Sequence, residues 1–389
     1  MLREVYSAWL LKLLFILISF SIPAIIVREY SPEEFGVYSY LISISVYATV
    51  FQSGITASFR RGLSSSNRIY ALRLYKLAFL KTVVLFVFFS LFLFVFAIIF
   101  SKENIGVFLI FCLASIFSPV VSTYQDFLNN SVRYRAYEIG SLLFVAGLVV
   151  LMSLNAISIY FVSSIWVINR FFTVLFYVPF KFKKILRRAK FKYIKNCFFI
   201  DSDDTRYLLS QLSSSLCVIL FSYVAFHVLG GEDFGNLSLY QRFVYFPLQI
   251  FSAAAPIMWM YYLRNNVNEY KIFGLDAFEC YALLMVFIWS AVIYFMVPYI
   301  VSIYAGASIV TEWLSFLVIS YIFIQIKDIL SIRLNASGMF GIQTFFNIVL
   351  IFLIIFSYFI TLEFLWVFSA YIIGMGMAVL GYYRALRSE

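Results

Sequence analysis

Four basic side chains interrupt stretches that are otherwise hydrocarbon: Lys12, Lys81, Arg170 and Arg242. A cation at the centre of a bilayer is costly, so such a residue normally faces a water-filled cavity or a partner. Arg170 and Arg242 lie deepest. Arginine keeps its charge and presents a planar fork of donors that grips a phosphate through two parallel hydrogen bonds. Lys12 and Lys81 sit about one turn inside their spans and can snorkel to the cytoplasmic surface. The acidic residues Glu138, Asp276, Glu279, Asp328 and Glu363 fall within a turn or two of span ends, where water is expected to reach them. The chemistry this pattern permits is the handling of an anion, above all pyrophosphate.

Uncharged polar residues mark a second surface. Ser210, Gln211, Ser213, Ser214 and Ser215 cluster together, and Gln52, Ser53 and Gln249 lie in two further apolar stretches. Hydroxyls and amides suit a sugar, which offers donors and acceptors without charge. They serve equally well in packing, because small serines let helices approach closely in a membrane. The candidate substrate-binding set is therefore Arg170, Arg242, Lys81, Lys12, Gln211, Gln52 and Gln249. No catalytic residue, metal cluster or cofactor is expected. There is no phosphate-cradling glycine loop for a nucleotide, and the lone His227 has no carboxylate in its turn to support proton transfer. Cys112, Cys217 and Cys280 fall in apolar stretches and Cys197 in a basic one, with no disulfide or metal spacing.

The elements that must position these residues are membrane helices. The chain has 389 residues, 63% of them hydrophobic and only 12% charged, with a mean hydropathy of +0.95, far from the composition of a soluble domain. Windows of about 18 to 22 apolar residues give twelve spans. The first six run near 9–27, 37–58, 77–100, 107–124, 139–154 and 157–179. The second six run near 207–229, 237–262, 277–301, 313–326, 344–360 and 364–383. Between the two sets lies a basic linker, 181–206, carrying Lys181, Lys183, Lys184, Arg187, Arg188, Lys190, Lys192 and Lys195. The expected division is an N-terminal lobe over 1–180, this cytoplasmic linker, and a C-terminal lobe over 207–389.

Lysine and arginine concentrate in alternate loops, among them Arg60, Arg61, Arg133, Arg135, Lys327 and Arg333, so both termini and the linker are expected to be cytoplasmic. The net charge of +10 is then a loop bias and not a nucleic-acid surface. The linker suits anionic headgroups, each cation contributing about 1 kcal/mol near such a surface. Pro23, Pro119, Pro179, Pro247, Pro256 and Pro298 fall in or beside spans and can bend them.

An internal repeat is also visible. Ser31-Pro32-Glu33-Glu34-Phe35-Gly36 resembles Gly230-Gly231-Glu232-Asp233-Phe234-Gly235, and the same offset superposes the first spans of the two halves. Gln125-Asp126-Phe127-Leu128 has a looser echo in Lys327-Asp328-Ile329-Leu330. Six spans per half gives two parallel repeats, an arrangement suited to alternating access.

These residues carry a family resemblance. The stretch Tyr30–Gly36 with Tyr38, Gln52-Ser53-Gly54 ahead of Arg60-Arg61, the basic linker and the six-plus-six plan resemble the Wzx-type O-antigen flippases of the multidrug/oligosaccharidyl-lipid/polysaccharide exporter superfamily (MOP). The resemblance implies an all-α fold of two six-helix lobes in a bacterial inner membrane. It also implies movement of an undecaprenyl-pyrophosphate-linked oligosaccharide to the outer leaflet for lipopolysaccharide or a similar surface polymer. Partners it allows are other polysaccharide-assembly membrane proteins and a coupling proton or sodium ion. Two alternatives stand beside it. A multidrug or cation antiporter of the same superfamily needs acidic residues at cavity depth, and a membrane polymerase or glycosyltransferase needs a sizeable outward loop or a surface carboxylate.

Overall fold

The computed structural model describes residues 2–45, 55–56, 59, 63, 68–99, 103–114, 116–127, 131–177, 202–248, 251, 275, 277–305 and 313–387. The basic run Lys181–Lys195, with Gln52 and Gln249, lies outside them. In chain order the helices are α1 (Leu2–Glu29), α2 (Pro32–Ile44), α3 (Arg68–Ile99), α4 (Glu103–Ala114), α5 (Phe117–Phe127) and α6 (Ser131–Leu154). They continue with α7 (Ile159–Tyr177), α8 (Ser202–Val244), α9 (Ala277–Ala305), α10 (Leu314–Ala336), α11 (Phe340–Thr361) and α12 (Phe364–Arg387). The chain is an all-α, multi-pass membrane protein. Eight stretches among the described residues are long and apolar enough to cross a bilayer, and α7 carries a shorter one.

Side chains are distributed as lipid demands. On α11, Gln343, Asn347, Leu350 and Ile354 are buried, a helical spacing of four, three and four that defines one inward face. Phe345, Phe352, Phe356 and Phe359 point outward and are exposed. Polar groups inside and phenylalanine outside invert the soluble pattern, because in hydrocarbon the polar groups must find partners within the protein.

Several spans differ from the sequence expectation: the helix of the third already begins at Arg68, more than two turns before its apolar window. The fourth is broken into α4 and α5, and the break follows from Pro119, whose ring cannot coexist with a helical carbonyl four residues earlier. The chain turns there with the Ile116 amide donating to the Leu113 carbonyl at 3.0 Å. The fifth begins at Ser131, a full two turns earlier than its hydropathy suggests. The tenth runs ten residues beyond its apolar window, to Ala336. Lys327, Asp328 and Arg333 lower the hydropathy without ending the helix, and Lys327 and Arg333 are buried within it. They are not loop residues.

The described chain forms two compact units. One comprises Met1–Tyr30 and Ile44–Leu208, the other Ser31–Ser43 and Leu209–Glu389. Chain order would place α2 with the first repeat; its packing is with the second unit. In the first unit α6 packs on α1 and α7, and the Tyr30 hydroxyl reaches the Ile157 carbonyl at 2.7 Å. Ser141 bonds both Asn169 Oδ1, at 3.1 Å, and Thr173 Oγ1, at 2.5 Å, joining α6 to α7. In the second unit α12 packs on α10 and α11, around a core of Leu330, Leu334, Ala378, Tyr382 and Leu386.

Candidate functional site

The site is built from the two repeated turns. Ser31 caps α2: its hydroxyl accepts from the Glu34 amide at 3.2 Å, and the Glu34 carboxylate accepts from the Ser31 amide at 3.1 Å. Proline at the first helical position completes a well-formed start. The second turn lies inside α8, where Gly230 takes φ +82° and splits the helix into two segments. Only glycine adopts that conformation without strain.

Within the second unit these two starts lie against one another. A Cβ added at Gly36 would fall on the Gly231 carbonyl oxygen, and one at Gly231 would lie 2.9 Å from Glu33 Cγ. At Gly235 it would meet the Pro32 carbonyl oxygen at 3.0 Å and the Gly36 amide nitrogen at 3.2 Å. The crossing is therefore backbone on backbone, an approach that only small residues allow. Further along, Tyr40 of α2 stacks on Phe226 of α8 with ring centroids 4.8 Å apart.

Arg242 lies in the last turn of α8, half-buried. Its guanidinium sits over the Tyr38 ring, 5.3 Å from the centroid, a cation–π distance. Its Nε is buried without a hydrogen-bond partner. Among the described residues no carboxylate forms an ion pair with it. On the following turn the Tyr245 hydroxyl meets Ser320 of α10 at 2.6 Å.

The acids behave otherwise. Glu279, expected within reach of water, is fully buried and sits 3.4 Å from Arg333. Glu138 is buried too and bonds Arg135 at 2.7 Å. Both expectations are corrected: a carboxylate near a helix end is shielded once an arginine is within reach, from α10 for Glu279 and from one turn earlier on α6 itself for Glu138. Glu363 is exposed as expected, and Asp328 is half-buried beside Lys327.

Of the other candidates, Lys81 is half-buried on α3 and Gln211 half-buried on α8. Lys12 and Arg170 fall on α1 and α7, and their side chains lie outside the description. Two members of the serine cluster, Ser210 and Ser213, join a polar network between helices. Ser210 donates to Gln343 Oε1 at 3.2 Å, and Gln343 Nε2 donates to Asn335 Oδ1 at 2.8 Å. Asn347 Nδ2 donates to the Ser210 carbonyl and to Ser213 Oγ, each at 3.2 Å. The His227 ring nitrogen lies 3.1 Å from the Tyr223 carbonyl, and the residue is exposed. Sequence reasoning missed Tyr38 as the neighbour of Arg242, and Lys327 as a buried cation. The echo that aligns Lys327 with Gln125, itself 2% exposed, was the available signal for the second.

Solved structures resemble the whole chain. An outward-facing multidrug resistance MATE family transporter of the MOP superfamily superposes with a TM-score of 0.67 at 15% identity, over 99% of this chain and 95% of that one. The chain has the MATE transporter fold. An inward-facing MATE structure gives 0.64 at 15% identity, over 98% and 97%. A MOP superfamily transporter from Pyrococcus furiosus gives 0.67 at 14% identity, over 99% and 95%; its structure is described as having a binding pocket of reverse polarity that suggests a different function. No family model matches the chain, and no curated protein matches it in sequence. Within the MATE fold, transport is the activity of these neighbours, and none is described as moving a lipid-linked sugar.

Proposed function

We propose that the chain is an alternating-access transporter whose cargo carries negative charge. An undecaprenyl-pyrophosphate-linked oligosaccharide for surface polysaccharide, moved from the inner to the outer leaflet of a bacterial inner membrane, is the cargo that fits the sequence best. The observation that supports the sign of the charge is Arg242, a half-buried residue in an apolar helix with a buried, unpartnered Nε and no carboxylate against it among the described residues. Arg170 and Lys81 would add to it from the first repeat, and Gln211, Gln52 and Gln249 would meet the sugars. The lobes of this working scheme are 1–180 and 207–389, joined by the basic linker 181–206 lying on anionic headgroups. Coupling would come from a proton or sodium gradient.

A second reading, multidrug or cation antiport, draws more directly on the neighbours, which are multidrug resistance transporters by description. The arrangement of charge favours it less. A cation carrier needs an available carboxylate, and Glu138 and Glu279 are each held by an arginine, which leaves Asp328, half-buried on α10 beside Lys327, as the acid this reading would use. Expression in cells that lack their own flippase but retain the matching sugar genes tests the first reading. Expression in cells stripped of drug exporters, with ethidium efflux as readout, tests the second. Restored surface polysaccharide without ethidium efflux supports the anionic cargo, and the reverse result supports the antiporter.

A further inference from the structure

We propose that the glycine crossing between α2 and α8 is a closed gate, and that Tyr38 rides on that gate as the removable cover of Arg242. Three observations carry this. The crossing is made by Gly36, Gly231 and Gly235 against the Pro32 and Glu33 backbone, so at the glycines themselves it is backbone that parts, and the Tyr40–Phe226 ring stack further along separates with it. Both segments begin at a pivot: α2 at the capped Ser31–Pro32 start and the second segment of α8 at Gly230, whose φ is +82°. A few element-terminal residues that absorb a backbone change are what a hinge requires. Finally, Tyr38 lies two residues beyond Gly36 on the same short helix, with its ring over the Arg242 guanidinium, and Ser39 beside it is buried with its hydroxyl unpartnered.

The consequence is a mechanical link. While the glycines touch, Tyr38 occupies one face of the guanidinium and substitutes a π-system for an anion. When α2 swings away, that face is released. Arg242 is then available to cargo only in the conformation in which the crossing is open. The cover's role rests on the anionic reading given above, whereas the gate itself does not.

The test uses the full chain with Cys112, Cys197, Cys217 and Cys280 replaced by alanine. Glu33→Cys and Gly231→Cys are then introduced together. The near contact of these residues puts their sulfurs within disulfide reach. Oxidation with copper phenanthroline in membranes should stop transport, whether read as surface polysaccharide or as ethidium efflux, and dithiothreitol should restore it. Recovery on reduction shows that the variant is folded. In a second variant, Ser39→Cys in the same background should react slowly with an impermeant sulfonated maleimide, and several-fold faster once Gly36→Val forces the crossing apart. Transport that continues with the pair fully cross-linked, or equal labelling rates with and without Gly36→Val, overturns the gate. If Arg242→Gln leaves export unaffected while cross-linking still blocks it, the anionic reading and the cover fall and the gate stands.

Discussion

Gly36 and Gly231 meet backbone to backbone: a single added carbon on Gly36 would land on the Gly231 carbonyl oxygen. Neither partner can yield as a flexible side chain would. Gly36→Val should therefore abolish transport, and Gly36→Ala should impair it, with protein level in the membrane as the control. Gly140→Ala should be silent, because nothing lies within 4 Å of the position its Cβ would take.

Arg333 and Glu279 form a buried pair at 3.4 Å between α10 and α9. Removing one member strands the other charge, at a cost of about 3 to 5 kcal/mol, while replacing both with apolar residues of similar volume is often neutral. Thermal melts in detergent should show a large loss for Arg333→Met, and most of it recovered in the Arg333→Met, Glu279→Leu double variant.

Asn347 ties α11 to α8 through two donated hydrogen bonds, to the Ser210 carbonyl and to Ser213. Asn347→Leu removes both donated bonds and leaves the Ser213 hydroxyl and the Ser210 carbonyl with the bond they make to each other at 2.9 Å, a loss of about 1 kcal/mol per bond. A lowered melting temperature is the expected result, with a larger drop than for Gln211→Leu at a half-buried position of α8.

The cap of α2 is a smaller matter energetically. Ser31→Ala should cost about 1 kcal/mol, and Ser31→Thr, which keeps the hydroxyl, much less. Because α2 carries both Gly36 and Tyr38, the gate account expects Ser31→Ala to raise the labelling rate of Ser39→Cys as well as to lower the melting temperature.

The helices were legible because hydropathy over about twenty residues reports the bilayer directly. The breaks and ends were not. Pro119 splits a span whose apolar window is unbroken, and Lys327, Asp328 and Arg333 sit inside a helix whose apolar window stops before them. What hydropathy cannot see is the partner: Arg333, in the last turn of α10, is buried against Glu279 in the first turn of α9. The repeated turn at Ser31–Gly36 and Gly230–Gly235 was readable as a repeat. That its two copies touch was not, since contact between distant glycines leaves no periodic trace. For Arg242, sequence gave the anomaly, a charge in a span, and the structure added Tyr38 and the unpartnered Nε.

The central claim is that Arg242 serves a negatively charged cargo. Cells lacking their own flippase and carrying this chain should lose most surface polysaccharide when Arg242 becomes glutamine, at unchanged protein level, and regain part of it with Arg242→Lys, which restores charge without the planar fork. Full export from Arg242→Gln, or ethidium efflux from the unaltered chain without any polysaccharide export, contradicts the claim.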